Sequence, residues 1–157
     1  MSLSSRSPGF RNLLWTQALS VFVDNAFKTY VALWAVSRFG VADAGKLIAA
    51  AGALFILPFI VLSPVGGAWA DRFPKRGLLL KLKAVELALF FAVVPALAAG
   101  SVPFLMVLLA LLGAQGALFA PLKLAFLPDL VRDEDLSYAN GLMQSTSFLG
   151  IILGTVA

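Results

Sequence analysis

The sequence predicts an all-α protein, a polytopic membrane helix bundle. Three observations carry that prediction. Hydrophobic residues make up 61% of the 157-residue chain and charged residues 13%, with a mean hydropathy of +0.94. A soluble domain carries about 45–50% apolar and about 25% charged residues, and a disordered chain needs the opposite bias. Runs as long as the ~20 residues a helix needs to cross a bilayer core recur without any charge, at 47–70, 87–122 and 137–157. Finally, these runs are continuous and rich in Leu and Ala, whereas strands of a membrane barrel alternate over about ten residues.

Five spans account for the chain, which is read as one transmembrane domain over 1–157. The first, 13–38, is interrupted by Asp24, Lys28 and Arg38. It is no cleavable signal, because its apolar run exceeds the usual ~7–15 residues and holds two charges in its middle. The second is 46–70. The long run that follows is too long for one span, and Gly100-Ser101-Val102-Pro103 divides it into 78–99 and 102–127. Ser101 suits a helix cap and Pro103 a first turn. The fifth, 136–157, follows Asp133-Glu134-Asp135, whose negative charge complements the positive end of a helix.

Orientation follows from Lys and Arg in the short connections. One side carries eight, Arg6, Arg11, Arg72, Lys75, Arg76, Lys81, Lys83 and Arg132, and the other carries two, Arg38 and Lys46. The N-terminus is therefore expected in the cytoplasm. The net charge of +4 is absorbed by this topology. Because the basic residues are scattered between apolar spans, the pattern gives no support to a nucleic-acid partner.

Neither Cys nor His is present. That removes disulfides, thiolate nucleophiles, Ser–His triads and the common zinc and haem ligand sets. Neither catalysis nor a cofactor is expected of this chain, and no metal site.

Charges inside spans are expensive, about 2.5–3.5 kcal/mol each on insertion scales, and they mark function by default. Asp24 lies about 16 Å into the first span at 1.5 Å per residue. Lys28, four residues on, shares its face. Gln17, Ser20, Asp24 and Lys28 form a polar stripe bordered by Asn25. Such a stripe faces protein or water rather than lipid. Either it is an ion pair that locks the bundle, or it lines a substrate or ion path. Lys123, near the end of the fourth span, either snorkels to the headgroups or joins that path. Glu86 follows Lys83 by three residues and is explained by a local pair at the start of the third span. In the fifth span Asn140, Gln144 and Ser147 share a face, and Gly150 and Gly154 form a GxxxG packing step.

The connection after the second span reads Gly67-Ala68-Trp69-Ala70-Asp71-Arg72-Phe73-Pro74-Lys75-Arg76. It resembles the signature loop of the major facilitator superfamily: Gly, Asp four residues later, a basic residue, then a basic pair. The departure is Pro74, where the pattern has Gly; Pro fixes φ and removes a donor. Gly67 is expected to let two helices approach closely, and Asp71 to accept hydrogen bonds from a neighbouring helix start. In the superfamily this loop is a gating latch, which the resemblance places on Gly67, Asp71, Arg72, Lys75 and Arg76.

Trp15-Thr16-Gln17, Val23-Asp24-Asn25-Ala26-Phe27-Lys28, Phe119-Ala120-Pro121-Leu122-Lys123 and Asn140-Gly141-Leu142 look like the lysophospholipid transporter branch. Its Asp-Asn pair and Pro-x-Lys fall on Asp24, Asn25, Pro121 and Lys123. The resemblance implies uptake or flipping of lysophospholipids across a bacterial inner membrane by alternating access, with possible H⁺ or Na⁺ coupling. Superfamily carriers have two halves with the substrate between them. The chain is therefore expected to be an N-terminal fragment, five spans of an incomplete first half whose partner is the missing C-terminal half. Relatives of the branch are free-standing or fused to acyltransferase and acyl-carrier-protein ligase modules; the fused acyltransferase uses a His-x4-Asp motif that this chain lacks. A non-transporting membrane scaffold, or a carrier of another small substrate, is the alternative.

Overall fold

The computed structural model describes residues 7–157. Arg6, counted above for orientation, lies outside the described residues. Among the described residues the helical elements follow one another as α1 (Pro8–Arg72), α2 (Lys75–Ala99), α3 (Val102–Phe126) and α4 (Leu136–Val156). Short 3-10 turns at Leu127–Asp129 and Asp133–Asp135 join α3 to α4. No strand occurs among the described residues. Three stretches are long and apolar enough to cross a membrane: α1, α2, and α3 with the turn after it. The described residues are thus all-helical, with apolar helices that fit a multi-pass membrane protein.

The first two expected spans fall on α1, whose 65 residues are two helices meeting at Gly40. It is broken at Gly40, whose φ of 76° and ψ of 166° are non-helical. That region is essentially reserved for glycine, because a Cβ collides with the backbone there. The expected connection over 39–45 thus narrows to one residue, and 41–45 are already helical. Asp43 sits in the first turn after the break, where negative charge is favourable. Gly40→Ala is expected to destabilise the protein by about 1–3 kcal/mol through backbone strain alone. No atom lies within 4 Å of the added Cβ, so crowding plays no part. Thermal unfolding in detergent reads the loss.

The remaining boundaries follow local chemistry. The Ser7 hydroxyl accepts a hydrogen bond from the Phe10 amide at 3.2 Å, and Pro8 takes the first helical position, where its missing N–H is harmless. α2 ends at Gly100, in the left-handed region at φ 60°, and the Gly100 amide donates to Leu97. α3 starts at Val102, with the Leu105 amide donating to the Ser101 carbonyl.

The chain forms two compact units, one built from the chain up to Tyr30 together with Phe126–Ala157, the other from Val31–Ala125. In the first, Gly150 and Gly154 of α4 lie against the backbone of α1. A Cβ at Gly154 would sit 2.2 Å from the Phe22 carbonyl oxygen, and one at Gly150 3.1 Å from that of Ala18. The Ser7 hydroxyl donates to the Leu130 carbonyl at 3.1 Å, tying the start of α1 to the segment before α4. In the second unit α3 is the central element. Leu105, Leu108, Leu109, Leu112 and Leu122 are all at most 2% exposed. Part 41–72 of α1 crosses it in parallel: Gly113 meets Phe55, Gly116 meets Phe59, and Gly66 meets Leu118 and Pro121.

Here the packing role expected of Gly67 moves by one residue. A Cβ at Gly67 meets open space, whereas one at Gly66 would lie 2.8–2.9 Å from Pro121 and the Leu118 carbonyl. The face of α4 is also narrower than expected. Asn140 and Gln144 are exposed, and Ser147 makes the contact.

Candidate functional site

In the unit that holds α4, the polar stripe of α1 divides into two uses. Gln17 is 4% exposed, and its Nε2 donates to Ser147 Oγ at 2.8 Å, while Ser147 in turn donates to the Met143 carbonyl at 2.9 Å. Its amide therefore ties two helices together. Asn25 Nδ2 donates to the Val21 carbonyl of its own helix at 2.7 Å. That leaves Asp24 and Lys28 as the charged members. Both are half-buried, Oδ1 of Asp24 is shielded, and the two feel each other's charge. One helical turn separates them, so the pair presents both signs of charge on one face of the helix.

In the other unit the structure assembles a cluster that the sequence reading did not. Glu86 was expected at the start of a span. It lies about 16 Å along α2 at 1.5 Å per residue and is 5% exposed. Its Oε2 pairs with Lys83 Nζ and accepts a hydrogen bond from Gln115 Nε2 of α3 at 3.0 Å. The same Gln115 nitrogen lies 3.4 Å from the Leu82 carbonyl. Lys83 Nζ stands 3.7 Å over the centre of the Phe119 ring, a cation–π geometry. Lys83, counted above among loop charges, is thus built into the α2–α3 contact. Lys123 follows Phe119 by four residues on the same face of α3. It is half-buried and feels the charge of Lys83. The signal available in the sequence was Gln115, a lone amide inside a charge-free run.

The signature segment runs through the end of α1, the two residues Phe73 and Pro74, and the first turn of α2. Gly67, Asp71 and Arg72 lie on α1, and Lys75 and Arg76 open α2. Asp71 is exposed. Arg72 sits in the last turn of α1, where a cation is favourable. Beside this segment Trp69, Phe73, Pro74, Gly77, Leu78 and Lys81 line a cavity of about 390 Å³. Aromatic rings next to a basic side chain suit a headgroup boundary. After α3, Arg132 binds Glu134 at 2.8 Å and Asp135 at 3.6 Å, so the acidic run before α4 is partly neutralised locally.

Comparison with known proteins adds to this geometry. The family model of the Major Facilitator Superfamily matches residues 7–157. A lysophospholipid transporter, LplT, of Photorhabdus laumondii is 32% identical over 148 residues, covering 94% of this chain and 35% of the relative. Proteins of the same name from Yersinia enterocolitica and Pectobacterium carotovorum are 32% and 31% identical over 103 residues, 66% of this chain and 24% of each relative. The chain thus spans about a third or less of the length of these relatives. No solved structure matches it.

Proposed function

The chain belongs to the major facilitator superfamily, and from that premise we propose that it serves lysophospholipid transport across a bacterial inner membrane. The observation that carries this reading is its likeness, over 94% of its length, to a protein named as a lysophospholipid transporter. In this reading the two parts of α1 on either side of Gly40, with α2, α3 and α4, are five spans of a major-facilitator N-terminal half. The N-terminal end is cytoplasmic, following the excess of basic residues on that side. The missing C-terminal half completes the path, and alternating access moves the lipid.

The residues suit such a substrate. A zwitterionic headgroup needs both signs of charge, which Asp24 and Lys28 supply one turn apart on α1. The acyl chain needs an apolar wall, and the chain holds 13 Phe. Asp24 is the group assigned to H⁺ or Na⁺ coupling, and the segment Gly67–Arg76 is the gate.

A chimaera tests the reading. Residues 7–157 replace the matching segment of the Photorhabdus transporter, in cells that lack lysophospholipid uptake. Uptake of labelled lysophosphatidylethanolamine is expected. A chimaera that inserts at normal levels yet moves none of this lipid overturns the assignment and leaves a scaffold, or a carrier of another substrate, in its place.

A further inference from the structure

The cavity beside the signature segment joins aromatic walls to basic charge. Trp69 of α1, Phe73 and Pro74 of the connection, and Gly77, Leu78 and Lys81 of α2 line about 390 Å³, within the usual ~300–1,000 Å³ of a ligand site. Trp69 and Phe73 are 37% and 54% exposed, so their rings are open to an occupant. Gly77 contributes no side chain, and a Cβ there would meet nothing within 4 Å. The charge is one-sided: over 71–82 the sequence sets Arg72, Lys75, Arg76 and Lys81 against Asp71. Lys81 is the cation on the cavity wall, and it is exposed. It lies about 9 Å into α2 from Lys75 at 1.5 Å per residue, and a lysine stem of that reach brings its ammonium back to the headgroup level. One turn further into the helices, the faces of Trp69 and Lys81 continue as Val65 and Val85, both exposed. An apolar path therefore leads from the cavity along both helices towards the middle of the bilayer.

An occupant that uses all of these features is anionic at one end, apolar at the other, and resident at a membrane boundary. A free anion would use the charge but not the aromatic wall or the path below it. A zwitterionic lipid would leave the surplus of positive charge uncompensated. We infer that this cavity binds an anionic phospholipid of the phosphatidylglycerol class as a fixed ligand of the fold, its phosphate beside Lys81 and its acyl chains along Val65 and Val85. The inference rests on the chain crossing a membrane, and it is independent of which lipid the protein carries.

The full chain is made with Trp15→Phe and Trp34→Phe, so that Trp69 is its only tryptophan. It is reconstituted in phosphatidylcholine vesicles that hold a rising fraction of phosphatidylglycerol brominated on its acyl chains, since bromine quenches an indole only at close approach. Quenching of Trp69 is expected to report a preference of at least about fivefold over brominated phosphatidylcholine, the share of one basic group near a membrane surface. Lys81→Gln removes a charge from an exposed position and should lower that preference about fivefold. Gly77→Leu keeps every charge but fills the cavity, and it should lower the preference as well; if that protein does not insert, Gly77→Val makes the same test with a smaller side chain. Diffuse attraction to a basic surface predicts no change on filling the cavity, so an unaltered preference in the filled variant overturns the site. Equal quenching by the two brominated lipids overturns it too, as does an equal loss in Lys46→Gln, which removes a charge far along α1. Inorganic phosphate at constant ionic strength should leave the quenching unchanged, and displacement by it overturns the lipid as occupant. Failure of the transport chimaera leaves these results standing, so the two readings fail separately.

Discussion

Gly113→Ala is expected to destabilise the protein by about 1–3 kcal/mol, the range for forced overpacking, and to fall at the upper end. The new Cβ would lie 2.3 Å from the Phe55 carbonyl oxygen and 3.0 Å from two further backbone atoms of Phe55. Those atoms belong to a helix, so no rotamer change relieves the contact, and part 41–72 of α1 must move off α3. The sign matters as much as the size. In an isolated helix the same change would be favourable by about 0.8–1 kcal/mol, because alanine is the better helix former. Gly67→Ala supplies the control: its Cβ meets nothing within 4 Å, so the helix-forming gain should stand uncancelled. Thermal unfolding in one detergent compares the pair. A Gly113→Ala protein as stable as Gly67→Ala would show that the crossing at Phe55 is not the tight contact described.

The same two glycines show what the sequence could and could not reveal. Hydropathy located the long apolar helices α1, α2 and α3, because crossing an apolar core needs length and lack of charge, and both are one-dimensional properties. Which face of a helix meets a neighbour depends on rotation about its axis. One residue turns that face by 100°, so the close approach expected at Gly67 falls on Gly66. The charges show a similar limit. Lys83 and Glu86 looked like an interfacial pair because they are three residues apart, but α2 already begins at Lys75, and this carries them towards mid-helix. Only the facing helix explains the burial of Glu86, since Gln115 lies 29 residues away in sequence. Gln17 fails in the opposite direction. It was legible as part of a polar stripe, yet its partner Ser147 is 130 residues distant. The break at Gly40 was legible as a connection between spans but not as a single residue, because backbone dihedrals leave no trace in hydropathy.

Asp24→Asn is expected to abolish lysophospholipid uptake by the chimaera, a loss of at least about a hundredfold, equivalent to about 2.7 kcal/mol. Asparagine matches aspartate in shape and keeps its acceptor, so the change removes little besides the charge. Gln17 and Asn25 are neutral amides bonded to Ser147 and to the Val21 carbonyl, whereas Asp24 and Lys28 are the charged members of the stripe and match a headgroup that carries both signs. Loss of uptake alone would not separate that role from an ion pair that locks the helices. Removing one member of a buried pair leaves a lone charge, at about 3–5 kcal/mol, and a protein so weakened would also lose transport. Asp24→Asn with Lys28→Gln resolves the matter. If the pair is only a lock, neutralising both charges restores stability, because a neutral pair of similar volume replaces a buried ionic one without penalty, and uptake returns with it. If the pair handles the headgroup, stability returns and uptake does not. The expected result is the second: a double variant that inserts and unfolds like the parent chimaera, yet carries no lysophosphatidylethanolamine. Normal uptake by a well-expressed Asp24→Asn chimaera would remove Asp24 from the path altogether.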